Sequence, residues 1–282
     1  MCAMWLSSTP RMANILLIET SSEVCSAAIS VDGKVVALSE NLDTQSHAAL
    51  LTLQIRECCE TAGIPLAQLD AVALSRGPGA YTALRVGASV AKGICYALDK
   101  PLIAVDTLHA LAYASRLLNG DRELVTGDTT NHLSPITHHQ LPITNYQSPI
   151  TNHQYPNPPI FVPMLDARRQ EVWLAVYDSE LREIAAAQPL ILENNLFEAF
   201  ISEMAGRVGV GGIVLAGNGM EKIRSGGFSE KIKFSGIKKC SAGNLSVLAE
   251  QIFQNTDFQD IAYFEPYYMK APNITTPSKP PF

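Results

Sequence analysis

Two acidic residues stand where apolar runs end. Glu19 follows Ile15 to Ile18 and precedes Thr20-Ser21-Ser22; Asp166 follows Ile160 to Leu165 and precedes Ala167-Arg168. Ligands of open α/β folds gather at such strand ends. Strand-end carboxylates also serve as structural caps, and the residues leave both readings open. A third candidate is Arg76-Gly77-Pro78-Gly79, which ends another apolar run. Glycine and proline force a tight turn there, and a helical pattern follows at once. The helix N-terminus points back at the turn, and its amides and macrodipole suit an anion. A second glycine turn, Gly217-Asn218-Gly219, closes a later run. The anion- or nucleotide-facing candidates are therefore Glu19, Thr20, Ser21, Gly77, Gly79, Asp166, Arg168, Gly217 and Gly219. Other chemistries find little support. No serine sits in GxSxG, and no GxxxxGK[ST] loop is present. Outside a repetitive segment the histidines are His47 and His109, with no HExxH or HxxxH pair. His109, three residues after Asp106 on an apolar-lined helix, reads as a core or surface residue. We expect no catalytic residue and no metal ligand.

The elements that must hold these residues alternate in kind. Ile15–Ile18 is a buried strand. Val24–Val31 and Lys34–Glu40 flank Asp32-Gly33, a two-residue hairpin signal. Ser46-His47 opens a helix with Leu50, Leu51, Ile55, Cys58, Cys59 and Ala62 inward, ended by Gly63 and Pro65. Strand Asp70–Ser75 leads to the helix Tyr81–Leu98; strand Pro101–Val105 leads to the helix Thr107–Leu118. Tyr81, Leu84, Ala88, Ala91, Cys95 and Leu98 mark one side of the central helix. The opposite side, Val86, Val90 and Ile94, is also apolar, so this helix needs cover on two sides, from its own fold or from another protein. An antiparallel meander followed by right-handed crossovers gives a mixed sheet flanked by helices, the ribonuclease-H-like unit of two-lobed folds. After Ile160 the pattern recurs as a smaller, decayed copy. Its strands are Ile160–Leu165, Glu171–Tyr177, Leu181–Gln188 and Gly212–Ala216; its helices are Leu196–Met204 and Ala242–Gln254.

Between the halves the composition changes. Ser134–Gln140, Leu141–Gln147 and Ser148–Gln154 are three copies of x-Pro-Ile-Thr-x-x-Gln. A proline every seventh residue excludes a helix, and the unit is too polar for a core. Residues 119–159 thus read as a disordered insertion. The remaining divisions are a disordered extension 1–13, with Met12 an alternative start, a first lobe 14–118, a second lobe 160–270 and a loose tail 271–282. The chain is 47% hydrophobic and 17% charged with a formal net charge of -6, which argues against a generic polyanion-binding surface. Six cysteines without a CxxC pair read as buried thiols in a reducing compartment. No run reaches a membrane span, and a cytoplasmic location is expected.

Several motifs together resemble the TsaB (YeaZ) family: Ile15–Ser22 (ILLIETSS), Ser46-His47 leading into Leu50-Leu51, and above all Arg76–Gly87 (RGPGAYTALRVG). Asp166-Ala167-Arg168 with Glu171-Val172-Trp173, Gly217-Asn218-Gly219, and Pro266-Tyr267 with Lys270 add to it. The resemblance implies an actin-like α/β fold of two lobes. It also implies a part in making threonylcarbamoyladenosine beside the anticodon of tRNAs that read codons beginning with A. In that family the protein partners a catalytic paralogue, TsaD, which holds metal and transfers the group; an ATPase, TsaE, joins them, and a synthase, TsaC, supplies the adenylate. ATP or ADP and metal then belong to the partners, and tRNA is met through the complex. The paralogue's HxxxH pair corresponds to Thr107 and Leu111 here, which implies no transferase or protease activity of the chain's own. The helices His47–Ala62 and Tyr81–Leu98 match those that bundle with the paralogue, or with a second copy when alone. The implied interface is His47, Leu50, Leu51, Arg76, Tyr81, Arg85, Val86, Val90 and Ile94. Glu19 stands where the family has aspartate, which weakens the case for nucleotide or magnesium here; Ala80, Tyr81 and Ala83 replace Ser, Phe and Gly, Lys270 replaces arginine, and the insertion is not a family feature. A stand-alone metalloprotease of the M22 type or a small-molecule kinase of the same fold is the alternative, and a purely structural homodimer a third.

Overall fold

Strand β1 (Asn14–Glu19) is buried on both faces, and its alternation sets the architecture. Leu16 and Ile18 point into one hydrophobic cluster, Ile15 and Leu17 into another. β1 pairs antiparallel with β2 (Cys25–Val31), which pairs antiparallel with β3 (Lys34–Asn41). Asp32 and Gly33 both take positive φ (52° and 71°), as a two-residue hairpin turn demands. On the other side β1 pairs parallel with β4 (Ala71–Gly77), and β4 with β5 (Leu102–Asp106). The computed structural model describes residues 12–41, 47–121, 158–193, 195–208, 212–224 and 232–270. The repeats of 119–159 therefore fall almost wholly outside the described residues, as do the tail 271–282 and most of 1–13. Within that last range Ala13 is described, and it is buried in the core rather than loose.

Helices α1 (His47–Ala62) and α2 (Tyr81–Leu98) cover one face of this sheet through Leu51, Ile55 and Cys58 and through Ala88, Ala91 and Cys95. A second sheet repeats the first. β6 (Ile160–Asp166), β7 (Glu171–Tyr177) and β8 (Glu183–Ile191) form the meander, and β9 (Ile213–Ala216) and β10 (Ile232–Phe234) add in parallel. The orders β3-β2-β1-β4-β5 and β8-β7-β6-β9-β10 are the same walk. This is a two-lobed α/β fold with a mixed sheet and flanking helices in each lobe. Helix α4 (Leu196–Val208) packs on the second sheet through Phe197, Ile201 and Met204.

Two helices lie differently from the sequence division. α3 (Thr107–Asp121) reaches the second sheet with Leu108, Leu111 and Ala112, against Phe161, Leu165 and Val214. The closing helix begins as a 3₁₀ turn, Ala242–Leu245, and continues as α5 (Ser246–Gln254). Leu245, Leu248 and Ala249 pack on the first sheet with Ile15, Leu17 and Val105. Residues 242–254 thus belong with the first sheet although they follow the second. An amphipathic stripe shows that a helix is covered but not which sheet covers it. The strand expected at Leu181–Gln188 starts at Glu183 because Leu181 sits in the turn at φ 61°, and the short edge strand β10 gave no sequence signal.

Candidate functional site

The candidate residues sit in the β1–β2 turn, the β4–α2 turn, the β6–β7 turn and the turn after β9. Glu19 points inward. Its Oε1 accepts the Ser21 amide at 2.5 Å and the Ser75 hydroxyl at 2.9 Å, and burial pushes its carboxyl pKa up against the opposing pull of these bonds. It is a structural cap, not a ligand-facing carboxylate. Thr20 is buried and donates its hydroxyl to the Ala83 carbonyl at 2.9 Å. Ser21 is buried; its carbonyl takes the Ala80 amide at 2.7 Å, and its side chain lies with Ser22 beside the Cys240 sulfur. Gly79 faces that same backbone so closely that a Cβ would collide with the Ser21 carbonyl and Cα. At Gly77 a Cβ would sit 2.6 Å from the Tyr267 carbonyl. These glycines let backbones approach; the Ala80 amide just ahead of α2 is given to the Ser21 carbonyl.

The second-lobe side is closed in the same way. Gly217, at φ 85°, presses on the Met164 carbonyl, and Gly219 on the backbone of Met164 and Leu165. Asp166 is exposed, but its Oδ1 accepts the Lys222 ammonium at 2.7 Å and the Arg168 amide at 2.6 Å. Lys222 donates further to the carbonyls of Arg169 (2.6 Å) and Glu171 (2.9 Å), so a cation fills the β6–β7 turn. Asn218 bridges the lobes: its amide nitrogen donates to Glu23 at 2.6 Å and its oxygen accepts the Asp166 amide at 2.9 Å. Of the nine anion-facing candidates, Asp166 and Arg168 are exposed and Gly79 is partly so, and Asp166 is already paired with a cation. Thr107 and Leu111, the positions the resemblance sets against a metal pair, are both buried; Leu111 packs in the α3 core and its side chain borders Gly217. Between them His109 stacks on Tyr177 with ring centroids 5.2 Å apart; burial lowers its pKa against the pull of Asp106 and Glu183. Among the described residues no three His, Cys, Asp or Glu side chains are placed to hold a metal.

The candidate interface residues separate into three groups. Leu51 is fully buried against the first sheet and cannot meet a partner, a correction to the sequence reading. Leu50, Val86, Val90 and Ile94 are half-buried, the last three resting on the edge of the first core with the remainder of each side chain outward. Near them in sequence stand exposed Leu53 of α1 and Gly93 of α2, where a Cβ would meet nothing within 4 Å. These are among the small and apolar positions of α1 and α2 that are not fully buried. Tyr81, Arg85 and Arg76 belong to a third group, engaged by the chain's own C-terminal segment. Tyr81 packs on Tyr268 (centroids 4.6 Å), Arg85 lies 4.6 Å over the Tyr81 ring, and the Arg76 carbonyl accepts the Tyr267 amide at 2.7 Å. The Arg76 side chain pairs with Asp106 at 3.6 Å. His47 begins α1; its side-chain surroundings lie outside the described residues. Sequence reasoning missed the role of Lys92, which holds the C-terminal segment, although Pro266-Tyr267 and Lys270 had marked that segment as a motif.

Comparison with known proteins agrees with this geometry. The family described as "TsaD: tRNA N6-adenosine threonylcarbamoyltransferase" matches residues 41–131. The tRNA threonylcarbamoyladenosine biosynthesis protein TsaB of Haemophilus influenzae is 37% identical over 101 residues, 36% of this chain and 42% of that protein. The tRNA N6-adenosine threonylcarbamoyltransferase of Symbiobacterium thermophilum is 37% identical over 121 residues, covering 37% of this chain and 35% of that one. The matched stretch thus spans less than half the length of these curated relatives. In fold, YeaZ from Pseudomonas aeruginosa superposes with a TM-score of 0.64 at 22% identity, over 91% of this chain and all of that one. In sequence the matched stretch is similar to TsaB proteins, and in fold the chain is similar to YeaZ, a two-lobed actin-like architecture.

Proposed function

We propose that this chain is a non-catalytic subunit in tRNA threonylcarbamoyladenosine synthesis. It pairs through the outward face of α1 and α2 with a TsaD-type catalytic paralogue, is joined by a TsaE-type ATPase, and works in the cytoplasm. The observation that carries the proposal is the pairing of two features. The outward stripe of Val86, Val90 and Ile94 is apolar and half-buried, while the positions matching the paralogue's metal pair hold Thr107 and Leu111. Nucleotide and metal then sit in the partners; Asp166 and Asn218 are bonded within the chain. The names of the curated relatives point to the same pathway. No helix among the described residues is long and apolar enough to cross a membrane.

A helix-bundle seam of ordinary size buries roughly 1,200–2,000 Å² in total. Placing a charge in its middle leaves a carboxylate desolvated and unpaired. Val90→Glu is therefore expected to weaken association with the paralogue at least about a hundredfold, roughly 3 kcal/mol. Because Val90 is half-buried, the free chain stays folded. Calorimetric titration checks the first expectation and circular dichroism the second. Unchanged affinity would move the interface elsewhere; an unfolded variant would assign this stripe to the core.

A further inference from the structure

We propose that the segment from Ile261 to Lys270 is a stacking platform for single-stranded RNA, so that this chain itself touches the tRNA loop; the inference rests on the function proposed above. The segment is anchored along its length. Asp260 caps its start by accepting the Ala262 amide at 2.8 Å. Phe264 is 8% exposed and plugs into the first core. Lys92 of α2 donates to the carbonyls of Ala262 (3.4 Å) and Phe264 (3.2 Å). The Tyr267 amide bonds the Arg76 carbonyl, and Lys270 pairs with Glu171 of the second lobe. From this fixed backbone two large rings point outward: Tyr263 is 83% exposed and Tyr267 46%.

An open groove of about 550 Å³ lies along the segment, bordered by Arg76, Gln259, Tyr263, Glu265, Tyr267 and Tyr268. Phe264 and Pro266 complete the lining, so the walls are mostly ring faces and hydrogen-bonding groups with Pro266 the aliphatic exception; four aromatic side chains in one lining suit the stacking of a nucleobase. Bases stack on tyrosine regardless of sequence, and a rigid backbone keeps the ordering cost of binding low. Arg76 is the cation of the groove's lining; it is half-exposed and already paired with Asp106 at 3.6 Å, and Glu265 adds a second carboxylate beside the groove. Binding is therefore led by stacking, and its salt dependence is shallow, with a slope near -0.7 for a single phosphate contact. The platform also adjoins the partner face, because Tyr268 packs on Tyr81 at the head of α2. A paralogue docked on α2 then has the RNA loop beside it.

The test is anisotropy titration of a labelled anticodon stem–loop RNA, with a blunt duplex as control. It is run on the full chain alone and on its complex with the paralogue. Each of Tyr263→Ala and Tyr267→Ala is expected to weaken stem–loop binding roughly tenfold. Tyr→Phe at either position stays within about threefold of wild type, since it keeps the ring. Duplex binding and calorimetric affinity for the paralogue do not change. Stem–loop affinity untouched by both alanines would overturn the proposal. So would a steep salt slope of about -3 or beyond, or a loss of paralogue affinity in their place, which would make the rings a protein contact. Failure of the wild-type chain to bind the paralogue would refute the function proposed above, and the titration of the chain alone would still decide this one.

Discussion

Two glycines on α2 make the same substitution a test with opposite signs. At Gly87 an added Cβ would stand 2.5 Å from the Thr20 hydroxyl oxygen, which is itself bonded to the Ala83 carbonyl. Gly87→Ala gains about 1 kcal/mol of helix preference. Against it stand about 1–3 kcal/mol for overpacking and about 1–3 for a buried hydroxyl and carbonyl left unpaired. The expected net is a loss of about 1–5 kcal/mol. At Gly93 the Cβ would meet nothing within 4 Å, so Gly93→Ala keeps the helix term and gains up to about 1 kcal/mol. Urea unfolding with a common m-value measures both. Thr20→Ala combined with Gly87→Ala should recover part of the loss, with a coupling above about 0.5 kcal/mol. If Gly87→Ala were as stable as wild type, Thr20 would move aside freely, and the β1–β2 turn would not be locked to the head of α2. The reasoning that the cleft is sealed by its own backbone would then fall.

Two further outcomes follow from burial. The folded state holds the Glu19 proton more tightly than the unfolded chain does, because burial raises its pKa above 4.5. Its contribution to stability is complete below about pH 4.5 and is lost as pH rises through the folded pKa. Glu19→Gln removes that loss. Thermal unfolding from about pH 4 to about pH 8 should show the variant gaining on wild type as pH increases, and a gap that narrows instead would refute the assignment. Phe264→Ala should cost about 3–5 kcal/mol, since a nearly buried ring leaves a cavity at the anchor of the C-terminal segment. Limited proteolysis should then cut within 261–270; a cost below about 1 kcal/mol would mean that the segment is held by its polar contacts.

The strands and helices of the first half were readable because each carries a local signal. Asp32-Gly33 fixes a hairpin, an unbroken apolar run marks β1, and small residues at helical spacing mark the sheet side of α2. The exchange of α3 and α5 between sheets was not readable, because a stripe reports that a helix is covered and is silent on what covers it. The same ambiguity hid the difference between Leu50 and Leu51, adjacent in sequence and unlike in burial. At the cleft the glycines were legible as special backbone positions. Their cause was not, since close approach to Ser21, Tyr267 and Met164 involves residues far off in the chain. Glu19 illustrates the limit best. A strand-end carboxylate has the same sequence signature whether it faces a ligand or, as here, caps its own turn with Ser21 and Ser75. The C-terminal segment held by Lys92 was marked by its motif residues, but a clamp across roughly 170 positions leaves no periodic trace.

The most direct measurement is threonylcarbamoyl transfer to tRNA by purified components: this chain alone, the TsaD-type paralogue alone, the two together, and the paralogue with the Val90→Glu variant, all with the ATPase and the adenylate supplied. Product is expected where the wild-type chain and the paralogue are combined, and little elsewhere. Product from this chain alone, or full activity of the paralogue without it, would contradict the account.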